Sequence, residues 1–399
     1  MLRQAATICV AALLVGGFAP EQESEVILDV ISSPIEADET HTPYLYKRPK
    51  EDERFPGSGV VEQEWSMLGR EDHSAETSGE YSPDACAAIA APAIGAEAVI
   101  DRIVKAAMSH RVVIINESHK ATQHRDFSRK VIAALRPHGF GVLAAETFAN
   151  KADSPDPVAL YAGVSHIDYR LGWYSREPVF GEMLREAKRL GFRFAAYEQV
   201  YDPNADRTDV QLSIARREQA QAENLVAIIA EMGAEEKLIV HVGYSHAREF
   251  ITQNEDGSES AWMAARLKRM TGIDPLTISQ THCRGSGDAV QLSKAPATIE
   301  GWFDYIVDHP VPSFRDGKPE WRFGDGRVEI SSPDELAPTN GPFVIEAFHA
   351  GDPFNAVPAD RIWVDPGESV KLALRPGRYT VRAVRPASEQ GPGLPATPE

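Results

Sequence analysis

Along the middle of the chain, between about Ala87 and His309, short, mostly apolar runs alternate with longer stretches whose apolar residues recur every three or four positions. The runs are Val112–Ile115, Val142–Ala145, Phe192–Tyr197, Leu238–Val242, Leu276–Ser279 and Tyr305–Val307. Runs this short and this apolar predict strands covered on both faces, and their alternation with helical stretches is the pattern of βαβ units. Between the first two runs, Phe127, Val131 and Leu135 recur at helical spacing, and Pro137 with Gly139 stops the helix. A second, longer helix is predicted over Asp209–Gly233, with an apolar stripe through Leu212, Ala215, Ala222, Leu225 and Ile229. Residues 87–311 are thus expected to form an α/β fold, a mainly parallel sheet covered by helices on both faces.

On either side the pattern changes. Beyond about Pro312 helical periodicity fades. Val370, Leu372 and Leu374 alternate with polar residues, as do Tyr379, Val381 and Ala383, about a Pro376–Gly377 turn, which predicts a half-buried hairpin. Residues 312–386 are expected to form a C-terminal β-rich accessory domain, with a disordered tail over 387–399. Residues 20–86 read as an acidic, poorly packed segment, since Glu21 to Glu80 holds sixteen acidic against five basic residues. One run there, Val60–Leu68, can dock a helix through Trp65 and Leu68. Residues 1–19 carry one Arg, an apolar run from Ala5 to Phe18 and the small Ala19, the order of a secretory signal peptide. That run is shorter than the roughly 20 residues a membrane span needs, so the expectation is an exported protein, periplasmic or extracellular, without a membrane span.

Composition narrows the partners. A chain of 399 residues, 43% hydrophobic, supplies roughly two to three domain cores. Its net charge of -18 argues against a nucleic-acid partner, which would demand clustered Lys and Arg. Oligomeric state is not legible. Of the three cysteines, Cys9 would leave with the signal peptide, and Cys86 and Cys283 would either pair in an oxidising compartment or stay as separate buried thiols.

The candidate chemistry sits where the predicted strands stop. The first ends in Asn116, Glu117, Ser118 and His119, the second in Glu146, the third in Glu198, the fourth in Gly243, Tyr244, Ser245 and His246, and the last in Asp308 and His309. In an open parallel sheet the carboxyl ends share one edge, outside which ligands bind, so these strands are expected to deliver three glutamates and several histidines to one rim. Such crowding is tolerated mainly where groups shift one another's pKa or hold a cation. The long helix adds Arg217, Glu218 and Asn224, with Arg217 and Asn224 seven apart on one face; Arg217 either neutralises the rim or holds an anionic group of a substrate. Two chemistries compete. His119 or His246 can act as general base on a water oriented by Glu117 or Glu146. Alternatively His119, His246 and Glu117 ligate a divalent ion (Mn, Co or Zn) that acidifies a bound water. Both are hydrolysis.

At these residues the sequence resembles the superfamily of erythromycin esterase, ChaN-like haem-binding and Tiki (TraB) proteins. Its members open with a strand followed by G-E-x-H or G-E-x-T-H, and Asn116–His119, N-E-S-H, is similar with Asn116 in place of Gly. ChaN-like members follow with further histidines, matched by His124. A strand ending in Glu follows, matched by Glu146. The esterase branch then carries an R-D-x-x-M-A-x-N helix, and Arg217–Asn224 resembles it with Glu218 for Asp and Gln221 for Met. The closing strand leading to G-x-x-H is matched by Gly243–His246, where the esterase branch has A-H-N-x-H. The resemblance spans roughly residues 110 to 310.

It implies a hydrolase of an ester or amide in a small-molecule or peptide substrate, with Glu117, His119, Glu146 and His246 catalytic, and with His124, Glu198, Arg217, Glu218, Asn224 and Tyr244 around the substrate. The ChaN branch implies instead a haem- or iron-binding protein, with Tyr244 beside His246 as the axial ligand.

Overall fold

In a computed structural model, the structure describes residues 25–386 apart from 38–42, 51–58, 78–83, 92, 151–162, 201, 203, 207, 254–256 and 258. The expected signal peptide and C-terminal tail lie outside the described residues. Strand β1 (Val26–Val30) and helices α1 (Val60–Met67) and α2 (Glu71–Thr77) come first. The α/β unit follows: α3 (Ala96–Ala107), β2 (Val112–Glu117), α4 (Thr122–Leu135), β3 (Phe140–Ala145), α5 (Pro178–Arg189), β4 (Arg193–Ala195), α6 (Val210–Glu231), β5 (Lys237–Gly243), α7 (Met263–Thr271), β6 (Leu276–Ser279), β7 (Gln291–Ser293) and β8 (Tyr305–Asp308). The chain ends in β9 (Val328–Ser331), β10 (Phe343–His349), β11 (Asp360–Val364), β12 (Lys371–Leu374) and β13 (Gly377–Arg385).

Strands β2 to β8 form one seven-stranded sheet in the order β7-β8-β6-β2-β5-β3-β4. Strand β2 pairs in parallel with β5 and β6, β3 pairs in parallel with β5 and β4, and β8 with β6, while β7 runs antiparallel to β8. Every residue of β2 is buried, because successive side chains point to opposite faces and both faces are covered. Val113 and Ile115 pack with Ile103 of α3, Val131 of α4 and Met183 of α5. Val112 and Ile114 pack on the other side with Leu225 of α6 and Leu267 of α7. The expected α/β fold holds. The apolar stripe of α6 is shorter than expected: Ala222, Leu225 and Ile229 are buried, whereas Leu212 is exposed.

The C-terminal strands build a sandwich. One sheet runs β1-β13-β10-β11 and the other pairs β9 with β12; Ile345, Ile362, Leu372, Leu374, Val381 and Ala383 fill the space between them. This corrects the expected hairpin: β12 and β13 form, but they pair with β9 and with β10 and β1, in different sheets. A hairpin ladder would lay both apolar faces side by side, whereas crossing between sheets lets them face each other and exclude water.

Within the expected poorly packed N-terminal segment, the described residues pack closely. β1 supplies the edge strand of the C-terminal sheet, parallel to β13, and Leu45, Tyr46, Trp65, Met67 and Leu68 are buried against Val344, Trp363 and Val384. Few but large apolar residues, spaced between acidic ones, are enough to dock this segment.

Cys86 and Cys283 form a disulfide across 197 positions. It fastens the segment whose Ala88 and Ile94 bridge to Ser293 and Gln291 on edge strand β7. Cys283→Ser should lower unfolding free energy by about 2–4 kcal/mol, seen as an earlier denaturant midpoint than for the wild type; coincident curves would mean the bond restrains nothing.

Candidate functional site

Three adjacent strands bring the chemistry together. Glu117, the last residue of β2, is in register with Gly243, the last of β5. Glu146 follows β3 directly and its backbone N–H donates to the His241 carbonyl of β5. Parallel strands ending level with one another thus set Glu117, Glu146 and the Gly243–His246 turn side by side.

Two imidazoles are each held by a carboxylate. His119 Nδ1 lies 2.9 Å from Glu117 Oε1, and His246 Nδ1 lies 2.7 Å from Glu218 Oε1 on α6. Their Nε2 atoms face the same group from two sides: Glu146 is 4.0 Å from His119 Nε2 and 3.7 Å from His246 Nε2. Glu146 also accepts from Arg217 Nη2 and from the Gly243 N–H, each at 2.6 Å. Arg217 in turn holds Glu198 at 2.6 Å. Arg217 and Glu198 form the open side of the cluster, with side chains 27% and 20% exposed against 8% for His119 and 10% for His246.

Rings wall the two histidines. Tyr174 stacks on His119 with centroids 3.7 Å apart, Tyr244 meets it edge-on at 5.1 Å, and Trp262 meets His246 edge-on at 5.5 Å. A glycine is required between the histidine and the carboxylate: a Cβ on residue 243 would lie 2.5 Å from His119 Nε2 and 3.1 Å from Glu146 Oε2. Tyr244 has φ +36°, sparsely populated for a residue with a side chain and the kind of backbone strain that gathers at functional sites. Its carbonyl accepts from Asn116 Nδ2 at 2.6 Å, a bond that Gly in place of Asn116 could not make.

Below the histidine pair lies a buried ionic layer. Arg125 of α4 grips Glu117 with Nε at 2.9 Å and Nη2 at 3.0 Å, and reaches Glu177 with Nη1 at 3.2 Å. Glu177 caps α5, accepting from the Val179 and Phe180 N–H groups. Burial would push the Glu117 carboxyl up, but Arg125, the His119 hydrogen bond and His241 hold it far below the carboxylate range. Glu117 therefore orients His119 and does not exchange protons. Burial works against the Glu146 carboxylate too, and His246, Arg217, His119 and the Gly243 N–H outweigh it. For His246, burial lowers the pKa, yet Glu218 and Glu146 raise it above the ordinary 6.5.

The remaining expected residues fall into place differently. His124 is buried behind the rim, where its Nδ1 accepts from the Ser118 N–H at 3.0 Å and its ring packs on His309. Asn224 shares the expected face with Arg217 but donates to the Tyr197 and Glu198 carbonyls, fixing the loop after β4. His309 is bound to Gln280, away from the cluster. Tyr244, expected as a haem ligand, is half-buried and its hydroxyl meets Ser118 Oγ at 3.1 Å. Both Nδ1 atoms face carboxylates, which directs both Nε2 atoms at Glu146, and the Arg217 guanidinium occupies the place on Glu146 where a cation would sit. Among the described residues no group of three or more His, Cys, Asp or Glu is arranged to hold a metal. Arg125, Glu177 and Trp262 were not anticipated, and Gln221, known only as a member of the helix motif, donates through Nε2 to Glu198 at 2.9 Å.

No family model matches the chain, and no curated protein matches it. Solved structures align with part of it. The type III effector HopBA1 is 18% identical over 53% of this chain and 93% of its own, with a TM-score of 0.35. RRSP, a MARTX toxin effector domain from Vibrio vulnificus CMCP6, is 14% identical over 52% of this chain and 39% of its own, with a TM-score of 0.37. A structure described as bacterial protein toxins is 16% identical over 46% and 37%, with a TM-score of 0.35.

Arg125→Ala leaves Glu117 charged in the interior without its guanidinium partner, which should cost about 3–5 kcal/mol in chemical denaturation; a loss within error of zero would remove the ionic layer as a structural element. Acid should destabilise the fold early. Burial holds His241 down to about 4, His309 to about 3 and His124 well below 6.5. The unfolded chain takes up these protons first, so their contribution is complete above 6.5 and is lost as pH falls toward 4, at up to about 1.4 kcal/mol per pH unit and histidine. His246 acts in the opposite sense, losing stability as pH rises. Melting temperatures from pH 7.5 to 4 test this, and a flat profile contradicts it.

Proposed function

We propose that the chain is an exported hydrolase that cleaves an ester or amide of a small-molecule or peptide substrate by acid–base chemistry at the Glu/His cluster. The observation that carries this reading is the pair of carboxylate-held imidazoles, Glu117–His119 and Glu218–His246, whose Nε2 atoms face Glu146 from 4.0 and 3.7 Å. Acyl transfer to water needs one proton removed from the water and one delivered to the leaving group, and two imidazoles converging from different strands supply both.

In this reading the Glu117 carboxylate accepts a hydrogen bond from His119 Nδ1–H and stays ionised, so that Nε2 is the free base that accepts a proton from the water attacking the scissile carbonyl carbon. The negative charge that forms on the carbonyl oxygen is met by Arg217, a cation already fixed at the open side. His246, its pKa raised by Glu218 and Glu146, gives its Nε2 proton to the departing oxygen or nitrogen as that bond breaks. The products are a carboxylic acid and an alcohol or amine, and solvent returns the proton from His119 to His246. Glu146, ionised between the rings, stabilises the imidazolium formed on either side. Export is supported by the disulfide, which persists in an oxidising compartment.

A screen of small esters and peptides provides the substrate. On it, His119→Ala and His246→Ala should each lower turnover about 10²–10⁴-fold with melting and circular dichroism unchanged; full activity in either folded variant overturns the reading. Because His246 must be protonated to act, turnover should fall as pH rises through its raised pKa, above 6.5.

A further inference from the structure

Three tyrosines stand around the cluster, and the protein takes up the hydroxyls of two. Tyr244 meets Ser118 Oγ at 3.1 Å, and Tyr197 donates to the His241 carbonyl at 3.3 Å. Tyr174 differs. Its ring lies on His119, with centroids 3.7 Å apart and planes within 12° of parallel, yet its hydroxyl has no hydrogen-bond partner among the described residues. The residue is half-buried, and its oxygen is not among the unpartnered atoms sealed from solvent, so it faces space that a ligand can enter.

The charges that act on this hydroxyl locate it. Burial raises its pKa well above the ordinary 10, Glu146 raises it further, and Glu117 and Glu198 add to that against the pull of Arg217. A hydroxyl that feels all four groups stands inside the cluster they form, and it keeps its proton at any working pH. His119 Nε2 also faces Glu146, so the phenol oxygen and the imidazole nitrogen look into the same space. Arg217, by contrast, is largely committed. It gives Nε and Nη2 to Glu198 and Nη2 to Glu146, which leaves Nη1, 3.5 Å from His246 Nε2, for a charge forming on a substrate. One nitrogen leaves acceptor capacity on an oxyanion unmet.

We infer that Tyr174 is a further catalytic residue, whose hydroxyl donates a hydrogen bond to the carbonyl oxygen of the ester or amide attacked by the water on His119. The inference rests on the hydrolase reading above. No proton changes hands: the O–H bond persists while negative charge grows on the carbonyl oxygen, and the hydrogen bond strengthens with that charge. Such a donor is effective when it is fixed before the substrate arrives. Ser175, the next residue, donates its N–H to Thr147 Oγ1 at 3.0 Å, and Gly172 packs so closely on the Thr147 carbonyl that no Cβ fits there.

Tyr174→Phe removes the hydroxyl and keeps the stacked ring. Phenyl acetate and phenyl thionoacetate, in which sulfur replaces the carbonyl oxygen, are the probes, with the full chain as enzyme. On phenyl acetate kcat is expected to fall about 10²–10³-fold. KM should stay within about two-fold, because the donor acts on charge that the ground state lacks. The variant should melt no lower than the wild type, since a hydroxyl without a protein partner adds nothing to the fold. On the thionoacetate the loss should shrink, because sulfur is a weak acceptor. Unchanged kcat in the folded variant overturns the inference, and so does an equal loss on both probes, which assigns the hydroxyl to the attacking water instead. Failure of the hydrolase reading is distinct: it shows as undiminished turnover in His119→Ala, or as no turnover by the wild type, and overturns this inference with it.

Discussion

The geometry of the site depends on one buried ion pair, Arg125 with Glu117. Both side chains are 1% exposed, and an isolated charge at that depth would cost several kcal/mol. The pair is tolerated because its hydrogen bonds are satisfied nearly all round: Arg125 reaches two oxygens of Glu117, the His119 carbonyl and Glu177. Such an arrangement adds little net stability compared with apolar packing, but it is specific. It fixes the rotation of α4 against β2, ties both to the start of α5 through Glu177, and leaves one Glu117 oxygen directed at His119. An apolar replacement could fill the volume without setting that direction.

On this base the strand ends do the positioning. Level parallel strands put His119 and Glu146 on the tips either side of β5, and the absence of a Cβ at Gly243 lets imidazole and carboxylate approach across that strand. The second imidazole comes from the turn after β5, but its partner, Glu218, comes from α6, a turn of helix that also carries Arg217 and Gln221 toward Glu198. Glu146 thus lies between two similar units built from different elements. Its low pKa and the raised pKa of His246 are two views of the same attraction, with Glu218 pulling in the same direction on His246.

Much of this was legible in the chain. Apolar runs located the strands because a strand buried on both faces has no polar alternation, and the residues at their ends followed from the rule that parallel strands share an edge. Glu117, His119, Glu146, His246, Arg217, Glu218 and Glu198 do meet. What the pattern could not give is whether a polar residue at the rim faces outward or backward. His124 lies two residues into a helix whose buried side carries it behind the rim, and Asn224 reaches carbonyls rather than open space. Arg125 is in line with Ser128 and Ile132, both fully buried, so a charge at that position had to have a partner inside. The hairpin failed for a different reason, since alternation about a turn records two half-buried strands and not the sheet each one joins.

The sandwich shapes the site more directly than an appended domain would. Tyr46 of the N-terminal segment and Arg361 and Arg382 of the sandwich converge on Glu346, with Arg361 Nε at 2.8 Å and Arg382 Nη2 at 2.8 Å. Arg361 then donates to the Arg176 carbonyl at 3.0 Å and to the Met67 carbonyl at 3.1 Å, and Asp168 bridges to Ala356. These contacts hold both ends of the segment that carries Tyr174, while Ser175 N–H donates to Thr147 Oγ1 beside Glu146. The ring stacked on His119 is therefore fixed from two sides, by the strand tips below and by the sandwich above. A segment anchored in this way cannot swing aside without breaking buried charged hydrogen bonds, so Tyr174 is held as a wall of the cluster, which leaves Arg217 and Glu198 as its more exposed charged side chains.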